Sequence, residues 1–131
     1  MAELSASWEI RVERTGELLA ADARMARSVV ERMVGLLGRR VLRDGEALIL
    51  LACRAIHTCF MRFAIDVVFV NGAWGVVAIR CTLPPWRLTP VVWAAEAAIE
   101  LPAGQVTRAQ HAVGDRLVLQ PVSGRNPLDR G

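Results

Sequence analysis

Trp8, Ile10 and Val12 alternate with Glu9, Arg11 and Glu13, a period of two that predicts a half-buried strand. Thr15-Gly16 marks a turn, and residues 17–20 return as a second strand. From Met25 the period lengthens. Met25, Val29, Val30, Met33, Val34 and Leu37 fall on one helical face, with Arg24, Arg27, Ser28, Glu31 and Arg32 on the other. The spacing of Ser28 and Glu31 is that of a capping box, which predicts a helix proper starting at Val29. Gly38 stops it, with Arg39 and Arg40 at the negative helix end. Beyond the turn at Asp44-Gly45, residues 47–52 are apolar throughout and too short for an independent helix, so they read as a buried strand. Residues 65–70 are β-branched and aromatic, Asn71-Gly72 is a hairpin signal, and 74–83 run back as the partner.

Pro84-Pro85 cannot continue a ladder, so a loop opens there and lasts to Val91. Ala95, Ala97, Ile99 and Leu101 alternate against Glu96 and Glu100, which predicts a strand with both glutamates facing water. Pro102-Ala103-Gly104 ends it. Residues 105–110 form one helical turn, Gly114-Asp115 turns again, and 116–120 are the last strand with Leu117 and Leu119 inward. The tail, 123–131, is expected to be flexible. Strands separated by short turns argue antiparallel pairing. The fold class that follows is mainly β: an antiparallel β-sandwich or small barrel with one packed amphipathic helix closing an open side. At 131 residues the expectation is a single domain, with its core at about 8–121.

Composition narrows the function classes. Apolar residues make up 53% of the chain, which excludes disorder. The longest apolar run, Ala47 to Cys53, is far short of the roughly 20 residues of a spanning helix, so no membrane partner is expected. The 16 positive charges are all arginine and the net charge is only +3. Apart from Arg39, Arg40 and Arg43 they are scattered, without the basic stripe and stacking aromatics of a nucleic-acid binder. The first residues lack a basic n-region and an apolar h-region, so the expectation is a cytoplasmic protein with reduced thiols. Three cysteines, an odd number, fit free thiols.

Polar residues gather between Cys53 and Asp66, in the most apolar third of the chain, and buried polar groups need partners. In a straight strand Arg62 and Asp66 would share a face about 13 Å apart, and His57 would face away from Arg62. The chain must therefore bend near Phe63-Ala64, and an irregular crossing segment is expected.

This segment, IHTCFMRFAIDVVFV, resembles a widespread prokaryotic family, domain of unknown function number one hundred and ninety-two. The upstream ERMVGLLGRRVL and the downstream PPWRLTP, AIELPAG and VGDRL resemble it too. The likeness runs from about Trp8 to Pro121. Cys59-Phe60 stands where that family has Phe-Gly, and Ala64 where it has Pro. The resemblance implies a compact β-sandwich of jelly-roll type with one helix. It implies no reaction, because none is established for the family.

Three readings of the cluster follow. In the first, Arg62 pairs with Asp66 or Glu100 while His57 and Thr58 bond the backbone, a purely structural network within a protein-interaction or homodimeric module. Trp74, Trp86 and Trp93, near turns and loops, would supply the exposed patch of such a module. In the second, His57, Thr58, Arg62 and Asp66 converge on a small polar or anionic ligand, with Arg62 as the bidentate fork. Trp86 and Arg87, on the proline-stiffened loop, form its rim, and Glu100 belongs to the same set. The third is a hydrolase or metal site using His57 and Cys59. Their separation of about 7 Å along a strand is beyond hydrogen-bond reach. Cys53, His57, Cys59 and Cys81 include no Cys-x-x-Cys pair, and His111 is distant, so neither metal nor cofactor is expected. Binding without catalysis is the favoured reading.

Overall fold

The computed structural model describes residues 7–26, 42–59, 61–109 and 111–122. Seven strands run through them: β1 (Trp8–Val12), β2 (Leu18–Ala26), β3 (Glu46–Leu51), β4 (Ile65–Val70), β5 (Val76–Leu83), β6 (Ala97–Pro102) and β7 (Leu117–Pro121). A short helix, α1 (Gln105–Ala109), lies between β6 and β7. The strands form one sheet in the order β5-β4-β6-β3-β2-β1-β7. It curls until its outer strands touch at one end, where Gly75 bridges Arg116. There the Val76 N–H donates to the Asp115 carbonyl at 2.8 Å and the Leu117 N–H to the Trp74 carbonyl at 2.9 Å. The architecture is a half-barrel, the small-barrel form of the expected fold class.

The sheet is mixed, not wholly antiparallel. β2 and β3 run parallel, from Asp22 opposite Glu46 to Ala26 opposite Leu50. Parallel neighbours need a crossover that no tight turn can supply, and residues 27–45 give the necessary length. The amphipathic helix expected from Val29 to Gly38 lies outside the described residues. Met25, grouped with that helix by its period, lies instead in β2 opposite Ile49. Ladder hydrogen bonds to β3 override the local helical pattern there.

Apolar side chains fill both faces of the central strands. Ile10, Leu19, Ile49, Val68, Ile99, Leu101 and Leu117 pack inside the curl. Leu50, Ile56, Met61, Ile65, Val67, Phe69 and Ala98 form a second cluster on the other side of β3, β6 and β4. Every residue of β4 and β6 is consequently buried. This overturns the outward placement of Glu100, which is fully buried opposite Leu48 of β3 and Val67 of β4. Period-two alternation implies a wet face only where one face of the sheet is open, and here a second layer covers it. Glu96, just before β6, is exposed as expected.

Candidate functional site

The covering layer contains the polar segment, which crosses irregularly as its spacing requires. Backbone hydrogen bonds lace it to the proline-rich loop after β5. The Thr89 N–H donates to the Ile56 carbonyl at 2.9 Å, the Thr58 N–H to the Arg87 carbonyl at 2.8 Å, and the Val92 N–H to the Arg54 carbonyl at 2.8 Å. His57, half-buried, forms a β-bridge with Leu88. Thr58 is the clasp of this two-ply structure. Its hydroxyl is fully buried, donates to the Pro84 carbonyl at 2.7 Å, and accepts the Arg87 N–H at 2.8 Å. Its carbonyl accepts the Trp86 N–H at 3.0 Å. These bonds hold Trp86 at φ +63°, a conformation that costs a bulky residue energy and persists only where its surroundings impose it.

Asp66 is fully buried, but its partners are not those expected. One carboxylate oxygen accepts the Thr82 N–H at 2.7 Å. The other accepts the Gly104 N–H at 2.9 Å and the Val106 N–H at 3.1 Å. The side chain thereby caps α1 and stabilises the irregular register between β4 and β5, where Thr82 sits at φ +51°. Gly104, at φ +93°, gives the backbone the left-handed turn that aims its N–H at the carboxylate. Arg62 is exposed and forms no ion pair with Asp66 or Glu100 among the described residues. The expected pairing fails because a carboxylate with three backbone donors already has its charge compensated. His57, Thr58, Arg62 and Asp66 are thus distributed over separate roles: Thr58 clasps, Asp66 caps, His57 bridges, and Arg62 faces water.

What the two loops expose is a different constellation. Trp86 is 58% exposed, Leu88 73%, Val91 48% and Trp93 79%. Arg54, Arg62 and Arg87 are exposed on the same pair of loops. From residue 47 to residue 95 the chain carries four arginines and a single carboxylate, the buried Asp66. Glu96 marks the border, lining with Ala52, Arg54 and Ala95 a small hollow of about 220 Å³.

The polar chemistry that sequence reasoning passed over lies at the other end of α1. His111 is buried, and neither ring nitrogen makes a hydrogen bond among the described residues. Burial pushes its pKa down, opposed by the Asp115 and Asp66 carboxylates and by the nearby Val106 carbonyl. Asp115 is held at about 2, chiefly by the Arg14 guanidinium at 2.8 Å and by the Ala112 N–H. A histidine just before a Gly-Asp turn gives no periodic signal of burial. None of the three cysteines forms a disulfide. Burial, with the Asp66 charge, pushes the Cys81 thiol up, away from thiolate chemistry. No group of three or more His, Cys, Asp or Glu side chains suited to a metal gathers among the described residues. No helix among them is long and apolar enough to cross a membrane.

Two solved structures share this fold. A protein of unknown function from Novosphingobium aromaticivorans superposes with a TM-score of 0.72 at 20% identity, over 86% of this chain and 83% of that one. A Sinorhizobium meliloti protein, named for a suggested role in transcription regulation, gives 0.73 at 18% identity, over 86% and 92%. At such identities the likeness establishes the fold alone. The UPF0127 protein of Pyrococcus furiosus is 32% identical over 105 residues, covering 78% of this chain and 90% of its own. The family model described as "Uncharacterized ACR", domain of unknown function 192, matches residues 10–119. The chain belongs to that uncharacterised family.

Proposed function

We propose that this protein is a cytoplasmic, non-catalytic recognition domain that binds an anionic partner through the face built by residues 54–62 and 84–93. The observation that carries the reading is the exposure of Trp86, Leu88, Val91 and Trp93 beside Arg62 and Arg87. Scattered single apolar residues are ordinary on a surface, but four within eight positions of one loop mark a contact site. The backbone beneath them is fixed by the Thr58 clasp and by Pro84, Pro85 and Pro90, so little order is lost on binding. Of the expected residues, Arg62, Trp86 and Arg87 belong to this face. His57 and Thr58 hold it in shape, while Asp66 and Glu100 serve the core.

Photo-crosslinking in the living cell tests the reading. A benzophenone side chain replaces Leu88 in one variant and Val113, 61% exposed and outside this face, in a second. A specific adduct at 88 but not at 113 is the expected result. Equal, unspecific labelling at both positions refutes a recognition role for the loop.

A further inference from the structure

We infer that the anionic partner is the headgroup surface of a membrane, met peripherally by the tip of the 84–93 loop. This rests on the recognition reading above and supplies its partner class. Leu88 and Trp93 are about three-quarters exposed, so neither lies in a groove of its own chain. A folded protein partner would have to offer a matching pocket for each protruding side chain. The boundary between headgroups and acyl chains accepts any protruding apolar contour, and tryptophan and leucine flanked by arginine are the side chains that settle there. The charge pattern agrees. Arg54, Arg62 and Arg87 are exposed on the same two loops as the apolar tip, and residues 47–95 expose no carboxylate to repel a phosphate. A second copy of the chain is disfavoured as occupant, because a two-fold contact would bring both sets of arginines into one interface to which residues 47–95 contribute no exposed carboxylate. The short apolar runs of the sequence exclude a spanning helix, but run length says nothing about a few side chains dipping into an interface.

The full chain is mixed with phosphatidylcholine vesicles containing 0 or roughly 30% phosphatidylglycerol, at low and at physiological salt, and the bound fraction is read by flotation. Binding to the anionic vesicles, weakened by salt and absent from the neutral ones, is expected. The double variant Arg62→Gln/Arg87→Gln should lower the partition coefficient about thirtyfold, which corresponds to roughly 1 kcal/mol for each arginine. Trp86→Ser/Trp93→Ser should lower it at least tenfold. Both variants change exposed positions, and an unchanged circular dichroism spectrum confirms the fold. Failure of the parent chain to float with anionic vesicles, or undiminished binding by both variants, overturns the inference. If the Leu88 crosslinker captures a single protein while vesicles stay unbound, the membrane assignment fails and the recognition reading stands. If neither gives a signal, both fall.

Discussion

Replacing Asp66 by alanine should destabilise the fold by about 3 kcal/mol, and the reason is countable. The carboxylate satisfies three backbone donors: the N–H groups of Thr82, Gly104 and Val106. Losing a helix cap costs about 1 kcal/mol, at most about 2. The Val106 N–H is buried and would be orphaned, at about 1–3 kcal/mol. The Thr82 N–H lies at an exposed residue where water can substitute, so its loss adds less. Asparagine separates charge and geometry from bulk. Its single carbonyl oxygen can serve either Thr82 or the α1 pair, and its amide then faces a donor with another donor. Asp66→Asn should therefore lose about 2 kcal/mol despite its matching shape. Arg62→Ala should cost less than about 0.5 kcal/mol, as for any exposed side chain without a partner in the core. Urea denaturation of the three variants reads these values as shifts in midpoint at constant m. In a thermal scan the alanine variant should fall by roughly 10 °C. A loss below about 1 kcal/mol for Asp66→Ala would refute the backbone-capping account. So would a loss for Arg62→Ala equal to it, which would restore a buried ion pair.

Other consequences can be measured on the same protein. Thr58→Val keeps shape but removes the hydroxyl shared by Pro84 and Arg87, and should cost about 1–2 kcal/mol. Faster hydrogen exchange at the Arg87 amide would localise the effect, and unchanged exchange there would contradict the clasp. Thr82 sits at φ +51°, so Thr82→Gly should stabilise by about 1 kcal/mol; a loss of stability would show that the strain is not real. For His111 the folded pKa lies below the ordinary 6.5. The unfolded chain therefore takes up the proton first, and stability present above pH 6.5 declines as pH falls through 6.5 toward the folded value. His111→Leu should remove that decline, visible as a flat urea midpoint between pH 7 and 5. Asp115 acts in a lower window: its stabilisation, present above 3.8, disappears as pH falls toward about 2. Arg14→Ala should abolish most of that second decline.

Local chemistry alone fixed much of the strand map. The alternation from Trp8 to Val12, the β-branched run from Ile65 to Val70, and the Asn71 turn all write their conformations into neighbouring residues. The crossing segment was legible for the same reason: four polar groups in an apolar stretch could not lie along a straight strand. Partner choice was not legible. Asp66 could have met an arginine four positions away. Instead it meets Gly104 and Val106, brought across by the curl of the sheet. Glu100 reads as a wet position until β3 and β4 close on either side and a second layer covers the sheet. Met25 obeys its strand partner rather than its helical period. The exposed face at Trp86 and Trp93 likewise exists only because the Thr58 clasp joins loops 26 or more residues apart in sequence. Short-range backbone preference acts through the nearest few residues and is therefore written in the chain. Burial and hydrogen-bond partnership depend on which distant segments arrive, and that was decided by the closing of the sheet on itself.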